Sequence, residues 1–259
     1  MGIINVTPDS FSDGGDYFLP AHAIKKAIEI KKMGADWIDL GAESSRPGSS
    51  PVSPDEEWRR LEPTIKGIKE TLPNTFLSID TYKPSTMIKA AGLGVDMINC
   101  IKGVVDLGTL QKILSLNKNM NYIAMHMHGL PSTMQDQPLD TSTNFLEEFC
   151  QESTQKLSLA GFKPEQIWLD PGIGFGKSDR LNHSCLEWVA RTKYQQIVLG
   201  ISRKSYIGRM FSIEKAKDRD DVSNAIEYSM TLSNHRIKMV RTHRVDKLAK
   251  LRKLGISNK

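Results

Sequence analysis

Eight short apolar runs recur along the chain, each followed by polar or glycine-rich residues and then by a helical pattern. They are GIIN (2–5), DWIDL (36–40), FLSID (76–80), DMIN (96–99), YIAMHM (122–127), IWLD (167–170), IVLGIS (197–202) and KMVR (238–241). Helices are expected between and after them, over 21–33, 54–72, 84–92, 107–116, 145–159, 184–191, 222–235 and 245–254. Apolar runs of this length, bounded by turn residues, read as strands covered on both faces, and strands that alternate with helices form a parallel sheet. Eight βα units in 259 residues close most naturally into a (β/α)8 TIM barrel, an α/β fold that takes about 250 residues. An open doubly wound sheet is the structural alternative. One domain, 1–259, accommodates the whole pattern.

Local chemistry supports these boundaries. Ser53 and Glu56 form a capping box with Pro54 at the first helical position, and Pro84 follows Lys83 in the same way. Glycines in MGAD and LAGF fall just past helix ends, where a left-handed turn is cheapest.

Composition narrows the function classes. No apolar run approaches the roughly 20 residues that span a bilayer, and no signal peptide precedes the first strand, so a cytoplasmic protein is expected. Met1-Gly2 does not start a myristoylation motif, because Val6 stands where Ser or Thr is needed. Cys100, Cys150 and Cys185 show no CxxC spacing and read as reduced thiols. The net charge is +5. Its basic excess gathers after Arg236, but Val245, Leu248 and Leu251 recur at helical spacing there, which makes the segment an amphipathic last helix with a solvated basic face and no nucleic-acid partner.

In a barrel the chemistry sits at the C-terminal ends of the strands. Here those ends carry Asn5; Glu43 with Ser45 and Arg46; Asp80; Asn99; His126 with His128; Asp170; Ser202 with Arg203 and Lys204; and Arg241 with His243. All are polar, and a purely structural barrel needs no such ring. DPGIGFGKS (170–178) fails as a nucleotide P-loop, since Pro171 occupies the position of its first glycine. It reads instead as a tight turn that brings backbone and Asp170 close to a flat ligand. GISRKSYIG (200–208) combines Arg, Lys and Ser, a mix suited to an anion or to carbonyl oxygens. His126 and His128 have a spacing that a metal site on a strand could use, with Asp170 as a third ligand, but no further His is placed convincingly, and no histidine-metal site is expected.

NVTPDSFSDGG (5–15), ESSRPG (43–48), SIDTYKP (78–84), MIN (97–99), LDPGIGFGK (169–177), SRKSYIG (202–208) and VRTH (240–243), in this order, resemble dihydropteroate synthase, the likeness running from Met1 to about Leu254. The resemblance implies a (β/α)8 barrel, usually dimeric, that joins 6-hydroxymethyl-7,8-dihydropterin diphosphate to p-aminobenzoate, with Mg2+ as helper. It implies that Asp170 takes the amide and amino edge of the pterin, that Asp80 and Asn99 meet the remaining ring nitrogens, and that Lys204 reaches the carbonyl side. Arg241 and His243 match the family's anion site, and Asn5 its metal and diphosphate contact. Asp80 would stabilise the cation left on the pterin methylene. Phe11 and Asp13 would order over the reaction centre with Arg46 and Pro47, and Ser45 and Ser205 would wall the p-aminobenzoate pocket. The chain starts inside its first strand, without the family's usual N-terminal hairpin.

Two departures from the family pattern matter most, beside INCIKG in place of a Ser-Gly-Gly type turn and His128 in place of a usual Gln. Cys100 and Arg244 stand where Asp is usual after Asn99 and His243. Strand alternation puts Cys100 away from a pocket that Asn99 faces, with Arg244 behind His243. A weakened or non-catalytic pterin-binding paralogue with a regulatory or partner role is therefore the alternative reading. A related methyl-transferring barrel is disfavoured by the intact first loop and SRKSYIG.

Overall fold

A computed structural model describes residues 1–7, 18–44, 51–131 and 133–256. Its strands are β1 (Gly2–Asn5), β2 (Trp37–Gly41), β3 (Phe76–Asp80), β4 (Met97–Cys100), β5 (Asn121–Met125), β6 (Ile167–Asp170), β7 (Ile197–Leu199) and β8 (Ile237–Val240). All pair in parallel in the order β1 to β8. A bridge between Gly2 and Thr242, with the Thr242 N–H donating to the Met1 carbonyl at 3.0 Å, returns β8 to β1 and closes the barrel. The helices are α1 (Phe18–Lys32), α2 (Pro54–Thr71), α3 (Pro84–Gly92), α4 (Leu107–Leu116), α5 (Asn144–Ala160), α6 (Asp179–Arg191), α7 (Ser205–Met210), α8 (Asp220–Ser233) and α9 (Val245–Ile256).

Alternation along the strands produces two cores. Ile38, Leu40, Leu77, Ile79, Ile98 and Leu169 face the helices and are buried there. Residues on the other strand face fill the barrel, and its lower part is apolar: Met1, Met97, Ile123, Val198 and Met239, with Trp37 and Trp168 packed on them. Each such side chain contributes roughly 1.5–3 kcal/mol by leaving water. Further along the same interior face the residues turn polar, so the apolar plug forms the floor of a polar mouth.

Helix caps form where expected, but only half of the Ser53–Glu56 box does, because the Glu56 carboxylate accepts from Arg59 and Arg60 instead of returning to the Ser53 N–H. Ser53 Oγ accepts from the Glu56 N–H at 3.2 Å, and Pro84 opens α3. Gly34 and Gly161 adopt positive φ after α1 and α5. Three differences from the sequence reading bear on the strand ends. α6 starts five residues earlier, at Asp179, because Ser178 Oγ accepts from the Leu181 N–H at 3.1 Å and begins a turn there. β7 stops at Leu199 and leads into the extra short helix α7. β5 stops at Met125, which leaves His126 and His128 in the following loop.

Candidate active site at the strand ends

The register sets a row of side chains across the mouth: Asn5 pairs with Gly41, Gly41 with Asp80, and Asp80 with Asn99. Gly41 is the gap in this row. A Cβ there would lie 3.5 Å from Asp80 Cβ and 3.7 Å from Asn5 Oδ1, so its absence leaves room between the amide and the carboxylate.

Arg241, just beyond β8, reaches across the barrel into this row. Its Nε donates to Asp39 Oδ2 at 2.6 Å and its Nη2 to Asp80 Oδ2 at 2.5 Å, while Asn99 Nδ2 donates to the same Asp39 oxygen at 3.2 Å. Asp39 is fully buried, one step below the row on β2. Burial opposes the Arg241 charge, but the carboxylates of Asp39 and Asp80 outweigh it and hold the guanidinium protonated beyond its usual range. Asp80 is pushed the other way, up to about 7, by burial and by Asp39, against the pull of Arg241.

The opposite wall comes from β6 and β7. Asp170 is buried; its Oδ1 accepts from the Gly172 N–H at 2.7 Å. Burial raises its carboxyl against the pull of that N–H and of Lys204. A Cβ on Gly200 would sit 3.7 Å from both Asp170 Oδ2 and Arg241 Cβ, which shows how closely the two walls approach. Lys204 passes under Gly174, where a Cβ would come within 3.2 Å of its Cδ, and ends with Nζ 3.6 Å from the Phe175 ring centroid. Burial, with Arg241, lowers the Lys204 ammonium to about 7, and Asp170 and Asp80 resist.

The loop that carries Phe175 is held from within. Lys177 Nζ donates to the carbonyls of Gly172 at 2.8 Å, Phe175 at 3.2 Å and His126 at 3.3 Å. Gly172 has φ +65° and lies so close to the β5 loop that a Cβ would stand 1.8 Å from the His126 carbonyl oxygen. His126 packs against Phe145 and Phe149, and burial lowers its imidazole to about 3. Beyond β2, Glu43 accepts from Lys83 Nζ and from Tyr82 OH, and Glu57 accepts from Lys83 Nζ at 3.0 Å. That network ties the start of the second loop to β3.

The structure thus gathers Asn5, Asp80, Asn99, Asp170, Lys204, Arg241 and His243 at one end of the barrel, with Ser205 exposed at the start of α7. Phe11, Asp13, Ser45, Arg46 and Pro47 lie outside the described residues. Arg203 does not join the anion side: it forms a two-pronged pair with Asp220 at 2.7 and 2.8 Å. Cys100 is buried in the helix-facing layer, where burial pushes its thiol up to about 11. Arg244 pairs with Asp246 through two contacts of 2.9 Å. The three cysteines are free thiols. Sequence reasoning missed Asp39. The available signal was an acid on the barrel-facing side of WIDLG, between residues that must both be buried. A separate surface pocket of about 780 Å³ lies between α5 and α6, around Trp188 and Tyr194, and shares no residue with this mouth.

The chain matches the model of the pterin binding enzyme family over residues 1–243. It is 37% identical over 216 residues to dihydropteroate synthase of Escherichia coli K12, covering 82% of this chain and 76% of that one. It is 35% identical over 254 residues to that of Neisseria meningitidis serogroup B, covering 95% and 87%. Among solved structures, a Clostridium difficile dihydropteroate synthase crystallised with pteroic acid superposes with a TM-score of 0.88 at 36% identity, over 100% of this chain and 96% of that one. The Burkholderia cenocepacia enzyme complexed with 7,8-dihydropteroate gives 0.84 at 32% identity, over 99% and 90%. A barrel whose polar strand ends converge on one mouth, with relatives matched along nearly its full length, belongs to the pterin-binding enzyme family as one of the dihydropteroate synthases, and is a transferase.

Proposed function

We propose that the mouth condenses 6-hydroxymethyl-7,8-dihydropterin diphosphate with p-aminobenzoate and releases diphosphate. The observation that carries this reading is the meeting of a buried carboxylate, Asp170, with Lys204 on one wall and of Arg241 on the other. A pterin edge offers two parallel N–H donors that a carboxylate accepts, and its carbonyl suits an ammonium. Each hydrogen bond to a charged group contributes about 1.5–3 kcal/mol, enough in sum to hold a small ring in one pose. Asp80 of β3 and Asn99 of β4 stand in the same mouth for the remaining ring nitrogens.

The C–O bond to the leaving diphosphate breaks with its electron pair, and negative charge builds on the diphosphate. Arg241 and His243 supply positive charge or N–H donors there. The pterin methylene becomes electron-poor, and Asp80 stands in the adjacent row to stabilise it. The amine of p-aminobenzoate then forms the C–N bond and loses a proton.

A magnesium ion fits the donor set. Among the described residues no group of three or more His, Cys, Asp or Glu could cage a metal, but Mg2+ usually keeps waters and substrate phosphates and needs only one or two protein oxygens. Asn5 Oδ1, beside the gap at Gly41, offers one. When bound, the ion would neutralise charge on the leaving diphosphate. Family membership supports a homodimer and a cytoplasmic setting, and no helix among the described residues is long and apolar enough to cross a membrane. The two departures give the non-catalytic reading little support, since Cys100 faces the helices and Arg244 is engaged by Asp246. Incubation with pterin diphosphate, labelled p-aminobenzoate and Mg2+ tests the reading: label should enter dihydropteroate with one diphosphate released per product. Pterin binding without product would overturn it.

A further inference from the structure

Behind the anion side of the mouth runs a chain of buried polar groups that the condensation itself does not use. Glu227 and Asn224 of α8, Thr242 after β8 and Ser202 after β7 are all buried. Asn224 Nδ2 donates one hydrogen to Glu227 Oε2 at 2.9 Å and the other to Thr242 Oγ1 at 3.2 Å. Thr242 Oγ1 also accepts from the Arg244 N–H at 3.3 Å. With nitrogen donors on its oxygen, its own proton has two buried acceptors within reach, the Glu227 carboxyl and Ser202 Oγ at 3.5 Å. Ser202 Oγ accepts in addition from the His243 backbone N–H at 3.1 Å. The same hydroxyl lies 3.1 Å from Nδ1 of the His243 ring.

We propose that Ser202, the last member of this relay, is a positioning residue that makes His243 Nδ1 an acceptor and so fixes the imidazole as its Nε2–H tautomer, a neutral N–H donor for the leaving diphosphate. The inference rests on the reading of His243 as a diphosphate contact. The ring is held at both its backbone and its Nδ1 by one hydroxyl, which orients it as well as choosing its proton. Because these groups are buried, a member left without its partner carries the full cost of an unpaired polar group.

Nitrogen-15 NMR of histidine-labelled protein at about pH 8, where an ordinary imidazole is neutral, tests this directly, with His243 assigned by loss of its signals in His243→Gln. The wild type should show a proton on Nε2 and none on Nδ1. Ser202→Ala should bring in a population with the proton on Nδ1 and lower kcat about tenfold, the worth of one well-made hydrogen bond. KM for p-aminobenzoate and dihydropterin affinity should stay within about twofold, a change of less than 0.5 kcal/mol, and Ser202→Thr should restore both the spectrum and the rate. A proton on Nδ1 in the wild type, or an unchanged spectrum in Ser202→Ala, overturns the relay, the first even if the variant does not fold. Inorganic diphosphate titrated into the wild type should shift the His243 signals. If the tautomer is as expected and diphosphate leaves those signals unmoved, the assignment of the leaving group to His243 falls, and with it the purpose proposed for the relay.

Discussion

The two walls of the mouth are built on different physics. On the β2, β3, β4 and β8 side, Arg241 is gripped by Asp39 and Asp80, and Asn99 completes the set. On the β6 and β7 side, one lysine holds three backbone carbonyls and glycines let the chain approach its neighbours closely. The first wall is preformed by charge, and removing one partner leaves the others buried without compensation. The second is preformed by backbone shape, and a single added methyl disrupts it. An anion site needs fixed charge that does not reorganise when charge develops. A flat-ring site needs a fixed contour.

The largest expected effect comes from breaking the charged wall. Arg241→Met should lower the condensation rate at least a hundredfold, in the range of about 10²–10³ for losing one preorganised donor, and cost about 3–5 kcal/mol because Asp39 and Asp80 lose their partner. Steady-state kinetics and urea melts read the two effects separately. On the other wall, Gly172→Ala should cost at least about 3 kcal/mol, combining a left-handed conformation that suits only glycine with a Cβ driven into the His126 carbonyl. A melt within 1 kcal/mol of wild type would show that this loop can move aside and is not a fixed contour.

This difference explains what was legible. The backbone wall announces itself in DPGIGFGK, because turns and close approaches demand glycine at fixed offsets. The barrel follows from eight alternating units and their caps. The charged wall is announced only in part: Asp80, Asn99 and Arg241 stand at strand ends, but Asp39 is one acid inside an apolar strand, and Arg241, its partner, lies 202 positions away. Only closure of β8 onto β1 brings them together. Arg203 misled for the same reason, since its partner Asp220 belongs to α8, a helix whose place behind β7 no local pattern gives. Lys177 ends the same glycine-rich motif, but nothing in the sequence marks its role, because a carbonyl cage has no signature in side-chain types. The relay from Glu227 to His243 was illegible for the same long-range reason.

A smaller effect sharpens the electrostatic side. Burial raises the Glu227 carboxyl behind β8 from 4.5 to about 8. Its folded form thus holds a proton that the unfolded chain gives up, and its contribution to stability is present at low pH and is lost as pH rises from about 4.5 through about 8. Glu227→Gln should flatten that decline and gain on wild type as pH increases, measured by urea melts at about pH 5 and pH 8. A parallel pH profile for the two proteins would mean that the acid is ionised in the fold. The smallest effect belongs to Arg244→Ala. Its pairing with Asp246 is partly exposed and contributes under about 1 kcal/mol, so inorganic diphosphate affinity by calorimetry should stay within about threefold, under 0.7 kcal/mol. A larger loss would add Arg244 to the charged wall.

The division of labour between the walls is tested most directly by titration calorimetry of Asp170→Asn with two separate ligands, 6-hydroxymethyl-7,8-dihydropterin and inorganic diphosphate. Asparagine keeps the volume and can still accept from the Gly172 N–H, but it opposes one pterin donor with an amide donor. The ring ligand should lose at least about tenfold in affinity, 1.4 kcal/mol or more, while diphosphate binds as it does to the wild type. Unchanged binding of the ring, or equal losses for both ligands, would contradict the assignment of the ring's amide and amino edge to Asp170 and of the leaving group to Arg241 and His243.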